Sequence, residues 1–430
     1  MKLIHFQKKL GLPGAVSVAV GAVIGVGIFV IVGPIGANTG PWMPLAFAVA
    51  AVPAIFGTIV AIALGGAIPS DGGGFFYTRS LLGLRPGAVT SALIVTGALG
   101  SIGAVAIGIA DYLSASYFPG APRGLVAAAI ILATWGVNAI GVMASEKLQI
   151  AMIVQLVSAL LLVIVGALIG GAAPDFSRPL PAGAAGFAEG AVVAMLTYTG
   201  FNIMGELGDE VENPRRNIPL TIAFGLGIVI VAYVGLGWIV AGSMSVAELK
   251  VSKTAVLDTA SRHLPWPWAT HYLNLAALFA GLTSINAVFL AVPRELSALS
   301  EEGLLPKWVM AFNEKRQTFP AGIAITAAAG VALVLLGLNP DIYGLLCVAG
   351  LMLANVFLSI AAMRLHKVFP DKAATAPLSI SRRWLIPCSV VSALLSMGFG
   401  VLAVYFYWPV GVGVAVVVAV ALGLSRRSEK

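Results

Sequence analysis

Apolar runs of about twenty residues recur along almost the whole chain, and this recurrence limits the fold more than any other feature. A helix needs roughly 20 apolar residues to cross hydrocarbon. Inside lipid every main-chain N–H and C=O must be paired within the protein, which favours helices for runs of this length. Twelve such runs lie at 12–36, 44–67, 87–115, 124–141, 148–170, 188–210, 218–242, 268–292, 319–338, 342–363, 384–403 and 406–424. The fourth is short, and only a stub near Tyr405 divides the last two. Of 430 residues, 59% are hydrophobic and 10% charged, more apolar surface than a water-soluble fold needs to bury. The chain is therefore read as an all-α integral membrane protein with 12 transmembrane helices, seated in a lipid bilayer.

Twelve crossings put both termini on one side. Of the 25 Lys and Arg residues, 20 fall at the termini or in the even-to-odd loops, while Arg123, Arg178, Lys250, Lys253 and Arg262 fall in the opposite loops. Excess Lys and Arg marks the cytoplasmic face, so both termini are expected in the cytoplasm and the protein in the cell membrane. The same asymmetry accounts for the net charge of +7 without a nucleic-acid partner. Basic residues in Met1–Leu10 lead straight into a full-length span, which is unlike a cleavable signal. Four His and two Cys are too few for a metal cluster or a disulfide framework. Cys347 and Cys388 lie in apolar runs, as packing residues do. His271 and His366 fall at opposite faces, and neither a His/Glu metal spacing nor a Walker-type loop is present. These absences argue against an enzyme, an ATP-driven pump or a cofactor; a sensor role stays open, and nothing sets the oligomeric state.

Two spans carry interruptions. The first reads Gly21-Ala22-Val23-Ile24-Gly25-Val26-Gly27-Ile28-Phe29. Glycine inside a helix costs about 1 kcal/mol relative to alanine, so one reading is a break that leaves main-chain groups for a substrate or an ion. The other is close helix packing of the small-xxx-small kind, which Gly21 and Gly25 also fit. The sixth span places Gly200, Gly205 and Gly208 among apolar residues, with Asn202 and Glu206 at membrane depth. Intramembrane polar groups point to function. The alternatives are a plain interhelical hydrogen bond for Asn202 and contact with cytoplasmic water for Glu206. Five spans separate the interruptions, so the second unit enters the membrane from the opposite side. That is the pattern of inverted repeats with binding at the midplane. Half-helix N-termini suit a carboxylate and half-helix C-termini an ammonium or a metal cation, and a zwitterionic amino acid matches both.

Four stretches then resemble a known family. They are Gly21–Phe29, Ile68–Tyr77 with its glycine triplet, Gly200-Phe201-Asn202 running to Glu210–Pro219, and Arg294-Glu295 running to Glu302–Pro306. Together they are similar to the amino acid–polyamine–organocation (APC) permeases, which share the leucine-transporter (LeuT) fold. The likeness covers spans 1–8 by motif and spans 9–12 by layout. It implies one transporter domain over 1–430, with inverted repeats at 12–170 and 188–363 and two extra C-terminal helices at 384–424.

The resemblance implies site residues as well. The amides of Val26 and Gly27, beside Gly25, would hold a substrate carboxylate. The carbonyls of Val23, Leu196 and Thr199 would hold its ammonium, with Phe201 and Asn202 lining the pocket. In sodium-coupled members of the fold, a stretch similar to Phe279–Ser284 supplies a sodium site. Its ligands here would be the carbonyls of Gly21, Ile24 and Ala280 and the hydroxyls of Thr283 and Ser284, five oxygens without formal charge. The alternative is that both hydroxyls bond back to their own helix. Proton-coupled relatives place a lysine on span 5, and Gln155 takes that position here by alignment on Gly166. A glutamine carries no proton, which favours sodium; with proton coupling, the residue to suspect is Glu206. The expected activity is amino-acid permeation by alternating access, with a neutral substrate and cation symport. Alternatives are ion-independent exchange, or a cationic amino acid or polyamine as substrate. Ser245–His263 is read as a surface helix or a partial external lid.

Overall fold

A computed structural model of the chain describes residues 11–25, 27–68, 73–140, 146–200, 211–316, 318–376 and 378–428. In chain order the helices are α1 (Leu12–Val23), α2 (Gly27–Val30), α3 (Val32–Thr39), α4 (Met43–Ala67), α5 (Gly73–Leu82) and α6 (Leu84–Ser116). They continue with α7 (Arg123–Ile140), α8 (Glu146–Ile169), α9 (Gly183–Met195), α10 (Pro214–Ser243), α11 (Val246–Val251) and α12 (Ala255–His263). The remainder are α13 (Pro267–Glu301), α14 (Pro320–Leu335), α15 (Pro340–Val368), α16 (Pro370–Thr375), α17 (Arg382–Phe406) and α18 (Trp408–Ser428). No β-strand occurs among the described residues, only an isolated bridge between Asn313 and Thr318.

Sequence chemistry sets many of the helix starts. Pro13, Pro44, Pro267, Pro320 and Pro340 fall at the first or second helical position of α1, α4, α13, α14 and α15. There the missing N–H has no intrahelical partner to lose, and the fixed φ favours the first turn. Among the described residues nine helices are long and apolar enough to cross a membrane, whereas the apolar helices in α1, α9 and α14 are shorter. The protein is thus an all-helical, multi-pass membrane protein.

The bundle is built around α6 and α15, which touch backbone to backbone. A methyl group added at Gly100 would stand 2.6 Å from the Cys347 nitrogen, and one at Gly350 would reach the Leu93 carbonyl at 2.6 Å. Small residues at such crossings let helices gain dispersion energy where lipid gives no hydrophobic drive. Chain direction puts α5 at one end of the bundle and α11 with α12 at the other. The segment 245–263 forms those two short helices rather than one, and α11 lies tightly on α3. A methyl group at Gly33 would meet the Ser252 carbonyl oxygen at 2.8 Å.

Candidate functional site

The first break follows from one redirected hydrogen bond. Ile24 N–H donates to the Val20 carbonyl at 2.7 Å and completes α1. Ile24 then takes ψ 77°, away from helical values. The Gly25 N–H, which a continuing helix would direct to Gly21, donates to Val23 at 2.7 Å instead. The Gly21 carbonyl therefore loses its helical donor. The chain re-enters helix at Gly27, where the first N–H groups of α2 have no intrahelical acceptor.

The second break lies beyond α9. Leu196–Tyr198 tighten into a 3-10 turn, Thr199 is extended (φ −70°, ψ 125°), and Gly200 sits at φ 132°. That backbone angle is open to glycine and rarely to other residues. The Leu196 carbonyl accepts from the Thr199 N–H at 3.2 Å and from the Thr199 hydroxyl at 2.7 Å. Both of its lone pairs are engaged, so it is a poorer ammonium ligand than the neighbouring carbonyls.

The two breaks face each other. A methyl group at Gly27 would touch Thr197 at 3.7 Å and Leu196 at 3.9 Å. Tyr233, buried on α10, joins them: its hydroxyl lies 3.0 Å from the Val23 carbonyl oxygen and 2.9 Å from that of Thr197. Its ring packs edge-on against Tyr198, with centroids 5.0 Å apart.

α13 closes the third side. The Ser284 hydroxyl is packed directly over the α-carbon of Gly25 and would overlap a side chain there. The hydroxyls of Thr283 and Ser284 both donate to the Ala280 carbonyl at 2.9 Å. Three neutral oxygens on one helical turn thus stand beside the end of α1.

A cavity of about 200 Å³ joins these parts. Val23, Gly25, Gly27, Leu196, Thr199 and Ser284 line its deep end. It runs along α13 past Ala287 and Ala291 to Arg294 and Glu295, beside Gly73, Gly74 and Tyr77 of α5. There the buried Glu295 carboxylate accepts from the Gly74 N–H at 3.0 Å, and Arg79 donates to Glu302 at 2.9 Å.

Six of the residues expected at the site therefore share one cavity, with Gly21, Ile24, Ala280 and Thr283 adjacent in their helices. Val26, Phe201, Asn202 and Glu206 lie outside the described residues, as do positions 69–72 of the glycine-rich motif. Gln155 is not brought to the site. Its side-chain amide donates to the Tyr272 carbonyl at 3.0 Å, twelve residues and about 18 Å along α13 from Ser284 at 1.5 Å per residue. The α8 residue that lies against Gly21 is Ile153, whose side chain a methyl group at Gly21 would overlap at 2.6 Å.

Tyr233 and Glu295 were not anticipated as site residues. The one available signal for Tyr233 was a hydroxyl at membrane depth, which must find a partner.

Residues 10–423 match the family model for amino acid permeases. An uncharacterized transporter of Mycobacterium tuberculosis is 30% identical over 76% of the chain and 75% of its own length. The branched-chain amino acid permease BcaP of Bacillus subtilis is 24% identical over 85% and 82%. The chloroplastic cationic amino acid transporter 7 of Arabidopsis thaliana is 24% identical over 84% and 66%.

Proposed function

The chain belongs to the amino acid permease family of the APC group and is an amino-acid transporter rather than an enzyme, and from that premise we propose that it carries a neutral amino acid by alternating access, in symport with sodium. The observation that carries this reading is the pair of facing breaks on one cavity. The first N–H groups of α2, from Gly27 on, have no intrahelical acceptor and suit a carboxylate together with the amide of Val26. Carbonyls at the ends of the broken helices suit an ammonium. Thr199 is the preferred acceptor, because the Leu196 oxygen is engaged by the Thr199 N–H and hydroxyl and the Val23 oxygen by the Gly25 N–H and the Tyr233 hydroxyl. Phe201 and Asn202 follow directly and complete the pocket in this reading.

The transported cation fits between α1 and α13. Gly21 has lost its helical donor, Ile24 follows at the end of α1, and the Ala280 carbonyl lies with the hydroxyls of Thr283 and Ser284 on one turn. Neutral oxygens suit a hard monovalent ion. Both hydroxyls now donate to Ala280 and would rotate to offer their lone pairs. Ile153, not a titratable residue, stands against Gly21, which supports sodium rather than a lysine ammonium at this position.

The proposal includes twelve spans, inverted repeats over 12–170 and 188–363, extra helices over 384–424, and cytoplasmic termini. With the Lys- and Arg-rich end in the cytoplasm, the cavity opens inward past Arg294. The contact of α11 with Gly33 closes the outside.

The test is uptake of radiolabelled amino acids into proteoliposomes under an imposed sodium gradient, a proton gradient, or neither. Sodium-driven accumulation of a neutral amino acid, reduced by Ser284→Ala, is expected; no accumulation of any amino acid overturns the reading. A cationic substrate is the second reading, favoured by the buried Glu295 carboxylate on the cavity. It predicts that arginine or lysine outcompetes neutral amino acids, and that Glu295→Gln removes this preference.

A further inference from the structure

We propose that the groove between α6, α13 and α18 is a binding site for an anionic phospholipid, with one acyl chain in the groove and the phosphate headgroup against Lys307 and Arg426. The groove holds about 190 Å³ and lies apart from the cavity between the breaks. Every residue lining it is Ala, Val or Leu. Ala88 and Ala92 form its floor on α6, Leu299 and Leu305 one wall, and Val420 and Leu424 of α18 the other. Such a lining offers no hydrogen bond, so its occupant there is hydrocarbon. Val420 is 55% exposed, so the groove is open along the side that faces lipid.

Charge at one end of the groove selects the headgroup. Arg85 lies one turn before Ala88 on the same face of α6, Lys307 two residues after Leu305, and Arg426 two residues after Leu424. All three are exposed. Among the described residues the acidic ones of that corner are Glu301 and Glu302, Glu302 is engaged by Arg79, and the headgroup contact is assigned to Lys307 and Arg426 rather than to Arg85. The balance is positive where the last turn of α18 leaves the membrane-spanning segment Trp408–Arg426. By the excess of Lys and Arg this is the cytoplasmic end, where basic pockets between transmembrane helices hold anionic headgroups. An acyl chain anchored by its phosphate fits this combination of dry groove and cationic end. A zwitterionic lipid would gain less, because its own ammonium opposes the cations.

The experiment is native mass spectrometry of the purified full-length protein titrated with phosphatidylglycerol or phosphatidylcholine of matched chains. Wild-type protein is expected to retain phosphatidylglycerol in preference. Lys307→Gln with Arg426→Gln should lower that preference by roughly thirtyfold, from about 1 kcal/mol per cation near the surface. Both positions are exposed, so the fold is not at risk. Val420→Phe, which fills the groove from a half-exposed wall, should weaken retention of both lipids. Equal retention of the two lipids by wild type, an unchanged preference in the double variant, or undiminished retention with Val420→Phe would each overturn the proposal. A lipid-free dimer that Val420→Phe disperses would assign the groove to a second copy of the chain and overturn it too.

Discussion

The Tyr233 hydroxyl lies 3.0 Å from the carbonyl oxygen of Val23, so a side chain of α10 reaches the point where α1 leaves its helix. The same hydroxyl lies 2.9 Å from the Thr197 carbonyl oxygen. A phenol has one proton to donate, and two buried acceptors compete for it. The hydroxyl thus ties the two breaks together; the Val23 oxygen also accepts from the Gly25 N–H, so Thr197 is the one of the two with more capacity left for a substrate ammonium.

Tyr233→Phe isolates this link, because the ring contact with Tyr198 is kept. The loss of one buried hydrogen bond is expected to lower stability by about 1 kcal/mol. Uptake should fall further than that loss explains, since the relative placement of the breaks is no longer fixed. Thermal melting and initial uptake rate, measured on the same preparation, check the two effects separately. Unchanged uptake with a lowered melting temperature would make Tyr233 a packing residue.

Helices and their order were legible in the sequence because lipid leaves the main chain little choice: an apolar run of about twenty residues is a helix. The glycines at 21, 25 and 27 left a break and close packing both open, and the structure shows both: the chain leaves the helix at Ile24, and Gly21 and Gly25 pack against Ile153 and Ser284. Which break carbonyls are engaged was not legible. Leu196 is satisfied by Thr199 three residues later, and that depends on a 3-10 turn rather than on composition. Which residue of α8 lies against Gly21 was not legible, because that helix has little apolar periodicity. A periodicity argument therefore cannot tell whether Ile153 or Gln155 faces inward. Glu295 was hidden by its neighbours, because a carboxylate beside an arginine near a helix end reads as surface.

The crossing of α6 and α15 predicts a contrast between two glycines. At Gly100 a methyl group would stand 2.6 Å from the Cys347 nitrogen and 2.9 Å from the Tyr343 oxygen. Both are main-chain atoms within helices and cannot step aside. Gly100→Ala should destabilise by about 1–3 kcal/mol, as overpacking does. At Gly136, within α7, a methyl group meets nothing within 4 Å. Gly136→Ala should leave stability unchanged or raise it by up to about 1 kcal/mol through helix propensity. The difference is read as a melting-temperature shift by fluorescence-detected size exclusion.

Asp111 and Arg123 form a buried ion pair whose two halves are unequally enclosed. The contact is 2.6 Å, and the Asp111 side chain is 5% exposed against 25% for Arg123. Removal of one partner from a buried pair costs about 3–5 kcal/mol. Arg123→Ala strands the deeper charge and is expected near the top of that range. Asp111→Ala leaves an arginine whose long stem can carry its charge to water, so it should be the milder change. If the two variants melt at the same temperature, burial does not set the asymmetry.

At the end of the bundle formed by α11 and α12, Glu248 is held by three donors. Arg262 reaches one carboxylate oxygen at 2.6 Å, and the Ser245 N–H and hydroxyl reach the other at 2.7 and 2.9 Å. The Arg262 guanidinium, then Ser245, push the Glu248 carboxyl down to about 2, from an ordinary value of about 4.3. The folded chain therefore binds this proton less readily than the unfolded chain. The resulting stabilisation is fully present above about pH 4.3 and is lost as the pH falls through about 2. The Glu248 side chain is 44% exposed, so solvent and salt screen the effect. Glu248→Gln should loosen α11 at pH 7, and the difference from wild type should shrink steadily below pH 4. Proteolytic cleavage within 245–263 reports it: wild type should be cut more slowly than the variant at pH 7 and at the same rate near pH 2. The same low-pH convergence should appear on mutating Arg262 to Ala, because that change removes the largest of the three holds on the carboxylate.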